Sequence, residues 1–190
     1  MITVRRWGRL VREIEAKYRT GDLEALLAAL KSAGVTVADP VFQDDQAYAP
    51  AGWEPGYGKV GHTFARLRTE DNTHVLTTKT PLGNAMECIE YETVVADREQ
   101  THGALLALGY EPFVRIVKDR RSGAVGSVGV CVDVVEGAGT FLELELVVDD
   151  DRDGRAAQEE LDAWARGLDV ELERTTETYD ALVRPGATPR

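Results

Sequence analysis

The chain has 190 residues, and 22 Lys+Arg against 33 Asp+Glu leave a formal charge of −11. That acidity argues against a broad electrostatic grip on nucleic acid or on an anionic membrane surface, and no apolar run reaches the roughly 20 residues of a membrane-spanning helix. With 43% apolar types and no Pro/Gly/Ser linker, the chain reads as one globular domain over residues 1–184, with residues 185–190 as a disordered tail.

The first residues, MITVRRWGRLVR, are basic but lack the apolar stretch and cleavage site of a secretory signal. Arg5, Arg6, Arg9 and Arg12 are read as a solvated arm. Cys88 and Cys131 have no metal-type spacing and are expected to be reduced structural thiols, so the expected location is the cytoplasm.

Taken in chain order, the first periodic segment is a strand over residues 12–19. Strict alternation puts Glu13, Glu15, Lys17 and Arg19 on one face and Ile14, Ala16 and Tyr18 on the other. Arg19, at the strand end, is read as a surface salt-bridge partner. A helix follows over residues 22–33, with Leu23, Leu26, Leu27 and Leu30 at helical spacing and Gly34 as its stop. Residues 50–61 form a Gly/Pro-rich loop, whose Trp53 is read as an anchor and whose Tyr57 and Lys59 are placed to shape whatever the loop covers.

Strands follow at residues 63–68, 74–79 and 87–93. They put Arg66 and Arg68 together, Thr77 with Lys79, and Glu90 with Glu92. A helix over 97–109 starts at Asp97, where Asp97 and Gln100 resemble a capping box. Three more strands, over 115–120, 128–135 and 140–148, present Lys118 with Arg120, Cys131 with Asp133, and Glu143 with Glu145. A helix over 154–168 and a short one over 178–183 complete the reading.

A half-buried strand with charges on its polar face is ordinary, and a sheet with helices on one face and solvent on the other would produce it. Here the charges come as same-sign doublets at i, i+2: Glu13/Glu15, Arg66/Arg68, Glu90/Glu92, Lys118/Arg120 and Glu143/Glu145. Like neighbours repel, so a solvated face gains nothing from such doublets. A curled sheet whose charged faces converge on a ligand does. Oxygen-only acids suit a hard divalent cation such as Mg²⁺ or Mn²⁺. Arg and Lys on separate strands suit phosphate oxygens. Together they describe a metal–polyphosphate site.

The ordered elements also carry a family resemblance. Glu-x-Glu-x-Lys at Glu13, Glu15 and Lys17 is similar to the signature of the CYTH superfamily, the triphosphate tunnel metalloenzymes. In the same order come Arg-x-Arg at Arg66/Arg68, Lys79, Glu-x-Glu at Glu90/Glu92, Lys-x-Arg at Lys118/Arg120, Asp133, and Gly-x-Phe-x-Glu-x-Glu from Gly139 to Glu145. The resemblance spans residues 11–183. It implies an α+β, mostly β fold: an antiparallel eight-stranded closed tunnel with helices packed on the outside.

Within the superfamily the chain is most similar to class IV adenylyl cyclases, through the Glu-x-Glu strand leading into Asp97, LALGYEP before Lys118, and the late TYDALV. The resemblance implies metal held by Glu13, Glu15, Asp133, Glu143 and Glu145. It implies phosphates held by Lys17, Arg66, Arg68, Lys79, Lys118 and Arg120, with Glu13, Glu15 and Lys17 at the reacting centre. Glu90 and Glu92 would orient the bases from behind. The implied reaction is metal-assisted attack of the ribose 3′-OH on the α-phosphorus of ATP, in a homodimer that binds neither nucleic acid nor membrane. A triphosphatase acting on thiamine triphosphate, inorganic triphosphate or NTP needs the same residues, and a non-catalytic polyphosphate sensor is the reading from outside the enzymes. On the second strand, where the family carries Gln-x-Asp-x-Tyr, the resemblance aligns Asp44, Gln46 and Tyr48, with an amide in place of the acid.

Overall fold

In the computed structural model, which describes residues 11–149 and 152–184, eight strands close into one antiparallel ring. They are β1 (Val11–Thr20), β2 (Val41–Pro50), β3 (Phe64–Glu70), β4 (Thr73–Pro81), β5 (Glu87–Val95), β6 (Tyr110–Val125), β7 (Val128–Val135) and β8 (Gly139–Asp149). Around the ring the order is β1-β5-β4-β3-β2-β6-β7-β8, and β8 returns to β1. The closing seam is short, pairing Arg12 with Ile89, Glu13 with Cys88 and Ile14 with Glu87. Farther along the same edge of β1, a strand absent from the sequence reading, β9 (Glu173–Thr175), pairs with residues 17–19. The expected eight-stranded closed tunnel is the fold observed.

Helices α1 (Leu23–Ser32), α2 (Arg98–Ala107), α3 (Gly154–Ala165) and α4 (Tyr179–Val183) accompany the strands. Asp22 caps α1 by accepting from the Ala25 N–H at 2.9 Å, and Asp97 caps α2 by accepting from the Gln100 N–H at 3.0 Å. Gly34 and Gly109 follow α1 and α2 with φ of 81° and 87°, a backbone that a side chain would strain. No described helix is long and apolar enough to cross a membrane.

The hydrophobic core lies outside the ring. Ile14, Ala16 and Tyr18 of β1, Val130 and Val132 of β7, and Leu142, Leu144 and Leu146 of β8 point outward against α1 and α3. There they meet Leu26, Leu30, Ala157 and Leu161, and each fully buried leucine contributes about 2 kcal/mol. A second cluster, Tyr48, Ala65 and Leu67, packs under Leu105 of α2. With the apolar faces turned out, the period-2 alternation of the strands turns the charged faces into the lumen.

Two expectations for single arginines are corrected. Arg12 is not part of a solvated arm. It is buried in the seam, where it donates to Glu87 and to the carbonyl of Arg152. Arg19 makes no surface salt bridge in its observed contacts; it donates to the Ala138 carbonyl at 2.8 Å and lies over the Phe141 ring. Arg5, Arg6, Arg9 and the expected tail at 185–190 lie outside the described residues.

Candidate active site

Every strand of the ring except β2 delivers the side chains that its alternation predicts. One cavity in the lumen is lined by Glu15, Lys17, Arg66, Lys79, Lys118, Arg120, Glu143 and Glu145 from five strands. Glu13, Arg68, Glu90, Glu92 and Asp133 do not border that cavity. They lie behind or beside it and reach it through their partners.

The bases are tightly coordinated on one side. Asp133 is fully buried and accepts from Lys118 Nζ at 2.7 Å, from Arg120 Nε at 2.7 Å and from Arg120 Nη2 at 2.6 Å. Arg120 also donates to Glu143, and its Nη1 lies 3.6 Å from Glu145. Lys17 Nζ lies 3.0 Å from Glu143 and 3.2 Å from Glu15. Burial lowers Lys118, the Arg120 charge adds to it, and together they bring its pKa to about 8 despite Asp133. Burial also opposes the charge on Lys79, yet Glu90 and Glu13 hold it above the usual lysine range.

The acids on β1 are under-compensated. Burial pushes Glu13 up to about 9, with Glu90 and Glu145 adding to it against Lys79. Burial and the Glu143 charge push Glu15 up to about 7 against Lys17. The buried Glu15 Oε1 atom has the Lys17 ammonium 3.2 Å away as an ion pair, without hydrogen-bond geometry. Surplus carboxylate in a partly buried lumen is what a cation would neutralise. Among the described residues no three His, Cys, Asp or Glu side chains are already drawn into a metal cage. The oxygen-only donors nonetheless fit a hard divalent ion by their chemistry. Both thiols, Cys88 and Cys131, are buried, and burial raises each to about 12, which keeps them protonated and inert.

On β2 the inward residues are one position away from the expected ones. Asp44 is on the outer face and pairs with Arg115 at 2.7 Å. Gln46 donates to the Val114 carbonyl, and Tyr48 packs outward and reaches His102 through its hydroxyl. The inward residues are Gln43 and Asp45, each 3% exposed. Asp45 therefore supplies the acid that the expected alignment had replaced with an amide. It takes both Arg68 donors at 2.7 Å, and Arg66 Nε lies 4.0 Å away.

Burial by itself would raise Asp45, but the Arg68 hydrogen bonds and the Arg66 and Arg68 charges hold it well below the ordinary aspartate range. A depressed carboxyl stabilises the fold above its unfolded pKa of about 3.9, and that stability is lost as pH falls below it. Asp45→Asn is expected to cost roughly 3 kcal/mol at neutral pH, because Arg68 is left buried without its counter-ion. The melting-temperature gap to wild type should narrow as pH falls below about 4. A gap that stays constant from neutral pH to about pH 3 would mean that the pair is not the source.

The mouth of the cavity is built by the loop after β2 and by α4. Trp53 anchors the loop, with its ring edge-on to Phe64 at 4.9 Å and to Phe113 at 5.3 Å, and donates to the Gly58 carbonyl. Lys59 bridges to α4, donating to Thr178 Oγ1 at 2.7 Å and to both Asp180 oxygens at 2.6 Å. Phe64, Phe113, Ile116 and Pro81 form an apolar wall beside the charged lining. Sequence alternation alone does not find this wall, because its members are spread over three strands, Phe64 on β3, Pro81 on β4, and Phe113 and Ile116 on β6.

A closed antiparallel tunnel with its core outside and paired acids and bases inside defines a class of protein built around an enclosed polar lumen. The CYTH domain model matches residues 11–179, and the chain belongs to that family. It is 26% identical over 162 residues to MJ0240 of Methanocaldococcus jannaschii, a provisionally named adenylate cyclase, covering 83% of this chain and 90% of that one. It is 29% identical over 146 residues to adenylate cyclase CyaB of Aeromonas hydrophila, covering 73% and 71%. Among solved structures, the PH1012 protein of Pyrococcus horikoshii superposes with a TM-score of 0.74 at 22% identity, over 90% of this chain and 99% of that one. HpAC1 of Hippeastrum, described as showing a dominant triphosphatase activity, superposes at 0.62 with 16% identity, over 93% and 97%.

Proposed function

We propose that the protein is a class IV-like adenylyl cyclase that forms cyclic AMP and pyrophosphate from ATP in the tunnel. The observation that carries this reading is the composition of one cavity: Lys17, Arg66, Lys79, Lys118 and Arg120 share it with Glu15, Glu143 and Glu145 and with an apolar wall. The bases suit a triphosphate, the acids suit a cation, and the wall gives a nucleobase an apolar surface.

In this reading Lys17, Arg66, Lys79, Lys118 and Arg120 bind the phosphate oxygens, and Arg68 acts from behind by fixing Asp45 beside Arg66. Glu13, Glu15, Glu143 and Glu145 would hold Mg²⁺ or Mn²⁺. Divalent-cation chemistry there would acidify the ribose hydroxyl and neutralise charge on the departing pyrophosphate. Both Asp133 oxygens already accept from Lys118 and Arg120, which favours a counter-ion role over the metal-ligand role that the resemblance implied. Glu90 and Glu92 pair with Lys79 and Arg66 and orient them. In the reaction the 3′-O–Pα bond forms as the bond to the pyrophosphate oxygen breaks, and the hydroxyl proton is released.

The second reading, a triphosphatase, is favoured by the activity described for HpAC1. There a water takes the place of the ribose hydroxyl. Purified protein with ATP and Mg²⁺, then Mn²⁺, separates the two. Cyclic AMP with equimolar pyrophosphate is the expected product. ADP and phosphate, or turnover of inorganic or thiamine triphosphate alone, would replace the cyclase with the triphosphatase. Binding of these compounds without turnover would leave a sensor.

A further inference from the structure

The roles above leave the Tyr179 hydroxyl unused, a buried polar group beside the bases of the lumen. Tyr179, the first residue of α4, lines the cavity and is 9% exposed, and its phenolic oxygen is buried with no hydrogen-bond partner. Its ring stands edge-on to Phe141 at 5.2 Å. Over its face lie Lys17 Nζ, 4.0 Å from the centroid, and Lys118 Nζ, 4.8 Å from it. These ammoniums come from β1 and β6, so a single ring sets the spacing of two cations from different strands.

The ring is held from both sides. Lys59 grips Thr178 and Asp180, the residues flanking Tyr179, and so fixes the start of α4 against the tunnel. Phenylalanine would fill the same space and offer the same face to both lysines, as Phe141 does for Arg19 in the same cluster. The hydroxyl therefore adds nothing to packing, and burying it without a partner opposes folding. Burial and the Glu143 and Asp133 charges keep the phenol protonated, so it is a donor. What it lacks is an acceptor, and a substrate anion would bring one.

We propose that the Tyr179 hydroxyl donates a hydrogen bond to an anionic oxygen of the substrate lodged between Lys17 and Lys118, while the ring holds those two ammoniums at their spacing. The proposal rests on the reading of the lumen as a triphosphate site. It makes Tyr179 a ligand-binding residue and the Lys59 clasp the device that presents it.

The test is calorimetric titration of the full chain with inorganic tripolyphosphate in Mg²⁺ buffer, with melting temperatures measured on the same samples. Tyr179→Phe keeps the ring and is expected to melt no lower than wild type but to bind about tenfold more weakly, the usual effect of losing one hydrogen bond to a charged group. Tyr179→Leu removes the ring as well and should weaken binding further. Binding by Tyr179→Phe within about twofold of wild type would overturn the inference and leave the triphosphate reading standing. A large drop in melting temperature for Tyr179→Phe would overturn it too, by making the hydroxyl structural. Absence of tripolyphosphate binding by the wild type would remove the triphosphate reading and the inference with it.

Discussion

Glu15→Gln is expected to lower turnover by about 10³-fold while leaving the melting temperature in metal-free buffer equal to or above that of wild type. The two halves of that result have one cause. Glu15 is half-buried beside Glu143, and desolvation with that neighbouring charge raises its pKa to about 7, so its ionised form opposes the fold. The Lys17 ammonium, 3.2 Å from its Oε1 without hydrogen-bond geometry, offsets only part of that cost. A residue that costs stability where it stands is retained for what it does, and glutamine matches its neutral shape without the charge. Circular dichroism and melting set beside product formation make the check. Unfolding of the variant would make Glu15 a structural residue, and full turnover would take it out of the reacting centre.

Asp133→Ala should behave in the opposite way. Its carboxylate is fully buried and takes three donors, one from Lys118 and two from Arg120. Its removal leaves an ammonium and a guanidinium facing each other in a dry lumen, with Glu143 the nearest counter-charge to both. The expected cost is about 3–5 kcal/mol, the usual size for breaking a buried pair from one side. In a chain of this length that amounts to a fall of roughly 10 °C in melting temperature. Loss of turnover with an unchanged melting temperature would return Asp133 to the metal-ligand role.

Most of the ring could be read from the residues because seven strands carry apolar side chains outward and charged ones inward, so alternation and function say the same thing. The strand β2 breaks that agreement. Gln43, Asp44, Asp45 and Gln46 are polar on both faces, and the ladder with β6 shifts register between Ala47 and Tyr48. No period survives to show which acid points inward. Partners decide it: Arg68 takes Asp45 in the lumen and Arg115 takes Asp44 outside. Arg12 was obscured for a similar reason. Three other arginines precede it, and nothing local shows that Glu87, far along the chain, waits across the seam. The three residues of β9 are too few to carry a periodic signal. Tyr179 was visible as part of a motif, but its unpartnered hydroxyl exists only once the ring has closed around it.

The seam also orders how the molecule is made. The strand β1 is synthesised before every other strand of the ring, yet its partners are β5, β8 and β9. Until β8 has emerged, β1 lacks its longest pairing and the growing sheet has open edges, the surface most prone to joining another chain. Contacts so distant in sequence make closure slow, and the pairing of the first strand with the last of the ring is a late event in folding. A nascent chain stopped before Gly139 would carry the Glu13, Glu15 and Lys17 strand with no β8 to enclose it.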